Sequence, residues 1–220
     1  MNSSAFLQQF AVVIIPLIFA IVFHEVAHGY AAYKLGDPTA KMLGRLSLNP
    51  AKHIDPIGTL LVPMFLLFSG GFLFGWAKPV PVTERNLRKP RRDGMIVALA
   101  GPLANILMAI VWAGLFKLLS VSVTGLTPRM EMFLGMCAAG ISLNLVFAVL
   151  NLLPIPPLDG SRILAGLLPP RWTIWLDRIE PYGLYIMLAL LMLGLLHRIM
   201  VPMVMALQGW LVHLFHLPVM

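Results

Sequence analysis

Long apolar segments alternate with short polar ones along the whole chain. These apolar segments cover residues 9–35, 57–76, 94–119, 131–152, 181–197 and 199–216. Most of them approach or exceed the ~18 residues that a helix needs to cross a bilayer. The last segment contains Pro202 near its start and is expected either to span or to lie along the membrane surface. The pattern predicts an all-α polytopic membrane protein, with one membrane-embedded domain over 1–220. Its three-helix core would cover about 9–168, followed by one or two C-terminal helices at about 179–216.

Composition supports the membrane class. Hydrophobic residues make up 59% of the chain and charged residues 11%, whereas about a quarter of a soluble domain is charged. The net charge of +7 would suit nucleic acid, but much of it is concentrated in one short connection and no basic nucleic-acid-binding motif accompanies it. We therefore expect no nucleic-acid partner. The single cysteine, Cys137, excludes an internal disulfide and a Cys-rich zinc site.

The segment 57–76 is expected to enter and leave the membrane on one side. Basic residues lie on both of its flanks, and short cytoplasmic loops carry the Lys/Arg excess. These residues are Lys34, Lys41, Arg45 and Lys52 before it, and Lys78, Arg85, Arg88, Lys89, Arg91 and Arg92 after it. Pro63 and three glycines also argue against a straight helix. The sequence thus predicts a re-entrant element, either a helical hairpin or partly strand-like.

The first apolar segment contains the sequence HEVAH at residues 24–28. Positions i and i+4 of a helix share a face, so the imidazoles of His24 and His28 can reach one metal ion. Glu25 lies beside them and can act as the general base of a zinc peptidase. Ionisable side chains are costly within a membrane span and usually functional. Two histidines that hydrogen-bond neighbouring helices, with Glu25 as a buried partner, are the alternative.

A catalytic zinc ion needs a third protein ligand, and the residues alone leave it open. Asp159 is one candidate, although an aspartate there could equally cap a short helix. His53, Asp55 and Asp93 remain alternatives.

Three motifs in order resemble the site-2 protease family, over roughly residues 15–165. They are HEVAH at 24–28, LAGPL at 99–103 and NLLPIPPLDG at 151–160. The resemblance implies one Zn²⁺ per chain with Asp159 as third ligand, and Asn151 near the scissile peptide. The stretch around His53 resembles one in compact bacterial members and has no assigned role. Many relatives carry a PDZ domain, for which this chain has no room.

The resemblance implies an intramembrane zinc metalloprotease that hydrolyses peptide bonds within or near transmembrane segments of membrane proteins. The expected partners are a substrate with a transmembrane helix and the lipid bilayer. The expected location is a bacterial inner membrane, with the active site toward the cytoplasm. If 57–76 is re-entrant, the next two spans bring Asp159 to the depth of His24 and His28. A full crossing would put Asp159 on the wrong face.

Several alternatives stay open at this point. A non-catalytic zinc-binding membrane protein, either a transporter or an inactive relative, would need the metal ligands but not Glu25. A structural scaffold would hold no metal. Asn151 could instead cap a broken helix end, and Asn105 and Asn144 are expected to form interhelical hydrogen bonds. Residues 75–82 could offer a strand edge to an unwound substrate or could serve as an interfacial anchor.

Overall fold

The computed structural model describes residues 3–61, 78–121 and 127–217, and within them the regular structure is helical. The helices are α1 Ser3–Lys34, α2 Thr39–Met42, α3 Pro90–Val121, α4 Pro128–Leu152, α5 Asp159–Leu167, α6 Pro170–Ile179, α7 Gly183–Met192 and α8 Leu195–Phe215. Short 3₁₀ or π turns occupy Pro50–Lys52, Pro56–Leu61, Glu84–Asn86 and Glu180–Tyr182. The prediction of an all-α chain is confirmed, and no strand occurs in the described ranges.

Among the described residues, four helices are long and apolar enough to cross a membrane: α1 from Phe10 onward, α3, α4 and α8. The chain is a multi-pass integral membrane protein. One predicted span is wrong, because 181–197 is not a single helix. Helix α7 ends at Met192, and Gly194 adopts φ +67°, a conformation that glycine takes without strain. The C-terminal helix that is long and apolar enough to span is therefore α8, which contains most of the tail at 199–216.

Helices α1, α3 and α4 pack together as the predicted three-helix core. Small residues permit the close approach of α3 and α4. A Cβ at Gly140 would lie 2.5 Å from the Trp112 ring, and Ala109 and Ala113 are fully buried beside Ile141. Helix α8 packs on α4 from outside. The connection after α4 folds as the short helices α5 and α6.

The end of α1, the start of α3 and the end of α4 lie at one end of the bundle. The amide of Arg88 donates to the Leu35 carbonyl at 3.1 Å, and a Cβ at Gly160 would lie 2.3 Å from the Leu152 carbonyl. The connection between α1 and α3 therefore begins and ends at the same level. Of the predicted re-entrant segment, Pro56–Leu61 forms a single π turn and residues 62–77 lie outside the described residues. The re-entrant topology stays a prediction.

Candidate metal centre

Three side chains converge at this end of the bundle. His24 and His28 lie one turn apart on α1, with their Nε2 atoms 2.9 Å apart. Asp159 is the first residue of α5, and its Oδ2 lies 3.2 Å from His24 Nε2 and 3.3 Å from His28 Nε2. Among the described residues this is the one group of three or more His, Cys, Asp or Glu side chains with metal-ligand spacing.

The hydrogen bond of His28 determines which of its ring nitrogens faces the centre. Its Nδ1 lies 2.7 Å from the main-chain carbonyl oxygen of Val97 on α3. A carbonyl oxygen only accepts, so the proton is assigned to Nδ1. A neutral His28 therefore presents the lone pair of Nε2 to the centre, which is the form that binds a metal ion.

A chain of amides holds His24 in the same tautomer. His24 Nδ1 donates to Asn105 Oδ1 at 2.7 Å. The Asn105 amide nitrogen donates to the Ala20 carbonyl and to Asn144 Oδ1, at 3.1 and 3.0 Å. Asn144 in turn donates to the Gly140 carbonyl at 2.8 Å. Both asparagines are fully buried. The predicted interhelical hydrogen bond between them is confirmed, and it also orients the imidazole of His24.

These assignments place three hydrogen-bond acceptors face to face. The lone pairs of His24 Nε2 and His28 Nε2 meet Asp159 Oδ2, which is buried without another hydrogen-bond partner. A cation between the three atoms would remove their mutual repulsion. In a tetrahedral zinc site with bonds of ~2.0–2.1 Å, neighbouring ligand atoms lie ~3.3 Å apart. The observed spacings fit zinc, and two imidazoles with one carboxylate leave a fourth position for water.

Two glycines allow the centre to form. A Cβ at Gly101 would lie 2.4 Å from His28 Nε2 and 2.6 Å from His24 Cε1. Such distances do not occur between real atoms, so only glycine lets α3 approach the two imidazoles. A Cβ at Gly160 would likewise lie 2.3 Å from the carbonyl oxygens of Leu152 and Leu153. The LAGPL and LDG motifs therefore have a steric role in bringing three helices to one point.

The surroundings keep Asp159 ionised. Burial disfavours its negative charge, but a proton on Nε2 of His24 or His28 in the metal-free centre hydrogen-bonds and attracts the carboxylate and lowers the pKa of Asp159 to about 2, and a bound cation would supply the same attraction between neutral imidazoles. A carboxylate must be deprotonated to bind a metal ion. Asp159 therefore meets this requirement across the neutral pH range.

Glu25 contacts an extended segment rather than the three converging atoms. Its Oε2 accepts a hydrogen bond from the backbone N–H of Val80 at 2.7 Å. Pro79 and Pro81 flank Val80, and a residue before proline is restricted to extended conformations. Arg45 holds the carbonyls of Lys78 and Pro79 at 2.8 and 3.2 Å. The segment is thus stiff and is anchored with one N–H directed at Glu25.

Asp37 anchors the far end of this segment. The carboxylate is fully buried and accepts hydrogen bonds from the amides of Thr83 and Thr39 at 2.7 and 3.1 Å. It also accepts from the Thr39 hydroxyl and the Asn86 side chain. Burial alone would raise the pKa of Asp37, but these hydrogen bonds outweigh it and lower the pKa below its ordinary value. Asp37 thus connects the end of α1 to the segment that contacts Glu25.

The alternative third ligands all have local partners. Asp55 Oδ1 accepts from the amides of Ile57 and Gly58, and Asp93 Oδ2 accepts from the amide of Lys89. His53 is fully buried and bonds the Ser47 carbonyl through Nε2 at 2.7 Å. None of the three belongs to the converging group.

Asn151 is half-buried near the end of α4. Its amide nitrogen donates to the Phe147 carbonyl one turn earlier, at 3.0 Å. This bond leaves the second N–H and the carbonyl oxygen of the side chain for another partner.

The chain is similar over most of its length to a peptidase family and to individual relatives. The model of peptidase family M50 matches residues 12–133 and 125–194. "Putative zinc metalloprotease YwhC" of Bacillus subtilis is 41% identical over 205 residues, which are 92% of this chain and 90% of the relative. "Putative zinc metalloprotease Rip2" of Mycolicibacterium smegmatis is 30% identical over 194 residues, 88% of this chain and 71% of the relative. No solved structure matches the chain.

Proposed function

Because this chain belongs to peptidase family M50, the site-2 protease family, we propose that it is an intramembrane zinc metalloprotease. It would hydrolyse peptide bonds within or near the transmembrane segments of other membrane proteins. The observation that carries this proposal is the convergence of His24, His28 and Asp159, with Glu25 beside them, between apolar helices that can span a membrane.

The residues divide into those that would hold zinc and those that would move a proton. His24, His28 and Asp159 would bind the ion. When bound, zinc supplies Lewis acidity, so that a neighbouring water is more acidic and a peptide carbonyl more electrophilic. Glu25 takes the proton of the attacking water on the oxygen that Val80 does not hold. It then gives that proton to the nitrogen of the breaking peptide bond.

Asn151 and the extended segment around Val80 would position the substrate. Asn151 keeps one N–H donor and its carbonyl oxygen for a peptide group. A transmembrane substrate must first expose its backbone, since a helix hides its peptide bonds. Within residues 78–82, we assign the Val80 carbonyl and the Val82 main-chain groups, which no described residue holds, to bind the unwound substrate chain, as an added strand would be held.

The orientation follows from charge. Lys89, Arg91 and Arg92 lie at the end of the bundle that contains the metal centre. Since Lys and Arg accumulate in short cytoplasmic loops, we place this end at the cytoplasmic side of a bacterial inner membrane. The catalytic groups would then meet a substrate helix near its cytoplasmic end.

Replacing Glu25 with Gln tests the proposal. This change keeps the shape of the side chain and removes the base, so proteolysis should cease while zinc content stays at that of the wild type. Membrane-protein fragments would be compared by mass spectrometry in cells that express either form, with zinc measured by elemental analysis. Identical fragments in cells that express the wild type and in cells that express Glu25→Gln would overturn the proposed protease activity. If the purified wild type contained stoichiometric zinc but the fragments did not differ, a non-catalytic zinc protein would be favoured. If the wild type contained no zinc, a structural scaffold would be favoured.

A further inference from the structure

Helix α6 presents an aromatic face that no described part of the chain covers. Trp172, Trp175 and Ile179 are spaced by three and four residues, so they share one face. Their exposed fractions are 52%, 60% and 37%. The helix has ten residues and is thus ~15 Å long, about half the ~30 Å of the bilayer core. It is too short to span, and exposed tryptophans in such a helix suit the boundary between headgroups and acyl chains.

Positive charge lies beside this face. Arg171 and Arg178 are seven residues apart on the same flank of α6, and the Arg178 guanidinium lies 5.7 Å from the centre of the Trp175 ring. An arginine next to an interfacial tryptophan is placed to meet lipid phosphates.

A basic cleft opens where α5 meets the start of α3. It has a volume of about 540 Å³. Exposed Lys89, Arg91 and Arg92 form one wall, and Leu167 belongs to the other. Within the described ranges, no carboxylate forms an ion pair with any of the three cations. Leu167 is 68% exposed, so the cleft combines unpaired cations with bare apolar surface.

The cleft and the start of α6 are adjacent. Helix α5 lies directly on the first turns of α3, because a Cβ at Gly166 would be 2.6 Å from Met95 Cβ. Helix α6 follows α5 after two residues. Asp159 begins α5 and Leu167 ends it, so the helix that supplies the third candidate zinc ligand ends at this cleft.

We propose that the cleft and α6 form a binding site for an anionic phospholipid. Its phosphodiester pairs with Arg91, Arg92 and Lys89, its acyl chains cover Leu167, and Trp172 and Trp175 lie in the headgroup layer around it. A soluble phosphate would match the charges but leave Leu167 and the tryptophans bare. The binding proposal stands independently of proteolysis. Where the protein is a protease, the lipid would also steady the helix that begins with Asp159.

The test measures lipid affinity in the purified, full-length protein. Native mass spectrometry would count adducts of phosphatidylglycerol and phosphatidylcholine with identical acyl chains. The double variant Arg91→Gln/Arg92→Gln should weaken phosphatidylglycerol binding by roughly 25-fold, about fivefold for each charge, and leave phosphatidylcholine unchanged. The control, Lys117→Gln/Arg129→Gln, removes two charges at the other end of α3 and the start of α4. It should change neither affinity by more than about twofold.

Three outcomes would overturn the proposal. One is an equal loss in both double variants, which would indicate unspecific attraction. Another is displacement of the lipid by glycerol 1-phosphate at equal concentration, which would indicate a soluble ligand. The third concerns α6 in nanodiscs of brominated phosphatidylglycerol. Quenching of tryptophan fluorescence should fall in Trp172→Phe/Trp175→Phe, and an unchanged signal would mean that α6 faces a protein or solvent rather than lipid.

Discussion

The backbone N–H of Val80 lies 2.7 Å from Oε2 of Glu25, so a main-chain group outside the HEVAH helix holds the candidate general base. The donor lies between two prolines and is anchored by Arg45 through the two preceding carbonyls. A fixed donor of this kind leaves one carboxylate oxygen for proton transfer. It also makes the geometry of Glu25 depend on the position of a segment more than fifty residues away along the chain.

Replacing Val80 with Pro should slow proteolysis by about 10–100-fold, as loss of an orienting partner typically does. The extended conformation before Pro81 tolerates proline, but the N–H that holds Glu25 is removed. Val80→Ala is the matched control, because it shortens the side chain and keeps the N–H. The measurement is the cleavage rate of a substrate identified by the Glu25→Gln comparison, together with zinc content, which should not change. Equal rates in the two variants would show that the hydrogen bond is dispensable.

Removing the Asp159 carboxylate should lower zinc occupancy. Loss of a residue that merely orients a ligand costs about 10–100-fold in metal affinity, so loss of a ligand should cost more. Asp159→Ala would be compared with Asp55→Ala and Asp93→Ala by elemental analysis of purified protein. The last two should retain zinc, since their carboxylates bond local amides. Full zinc in Asp159→Ala with loss in Asp55→Ala would identify a different third ligand.

Gly101→Ala should disrupt the metal centre by steric overlap alone. The added methyl group would lie 2.4–2.6 Å from His28 Nε2 and His24 Cε1, and α3 must move or the imidazoles must turn. Zinc occupancy and proteolysis should both fall. Gly94→Ala is the control on the same helix, because a Cβ there has nothing within 4 Å. Normal zinc content in Gly101→Ala would contradict the packing of α3 against the histidines.

Asp37→Asn should destabilise the protein at neutral pH by about 1–3 kcal/mol, the usual result of disturbing a buried hydrogen-bonded group. The folded-state pKa of Asp37 is lowered, so its ionisation stabilises the fold above the unfolded-state pKa of about 3.9. That contribution is lost as the pH falls through the folded-state pKa. The wild type should therefore melt above the variant at pH 7, with a smaller gap in strong acid. A difference in melting temperature that stayed constant with pH would contradict this role of Asp37. So would an equal loss of stability in Asp177→Asn, which changes an exposed aspartate.

Lys52 and Arg88 should be reached from one side of the membrane. The described parts of the connection meet at the same end of the bundle, since the Lys78 amide donates to the His53 carbonyl and the Arg88 amide to the Leu35 carbonyl. Single cysteines at positions 52 and 88, in a Cys137→Ala background, would be labelled with an impermeant reagent on intact cells. If neither cysteine reacted with the reagent until the membrane was permeabilised, the result would fit a re-entrant segment with both flanks in the cytoplasm. Labelling of only one would refute it.

The sequence alone determined the features that depend on local periodicity. Apolar runs of sufficient length predict spanning helices, and the i, i+4 spacing of His24 and His28 puts both imidazoles on one face. The resemblance supplied Asp159, where the residues by themselves left four candidates. The prediction of a single spanning helix over 181–197 was wrong. The sequence of an apolar run does not show whether an isolated glycine within it adopts a helical or a left-handed backbone conformation. Gly194 is left-handed and starts α8 there.

Only the tertiary structure decided the contacts between distant parts of the chain. Asp159 reaches α1 because Gly101 and Gly160 remove the side chains that would keep the helices apart. Asn105 follows Gly101 by four residues and lies on the same face of α3, which could have suggested a contact with His24. Whether the two side chains meet depends on how α1 packs against α3. The side chain of Val80 gave no indication in the sequence that this residue would contact Glu25. Its contribution is a main-chain N–H, which nearly every residue possesses, and only its position in space directs it at Glu25.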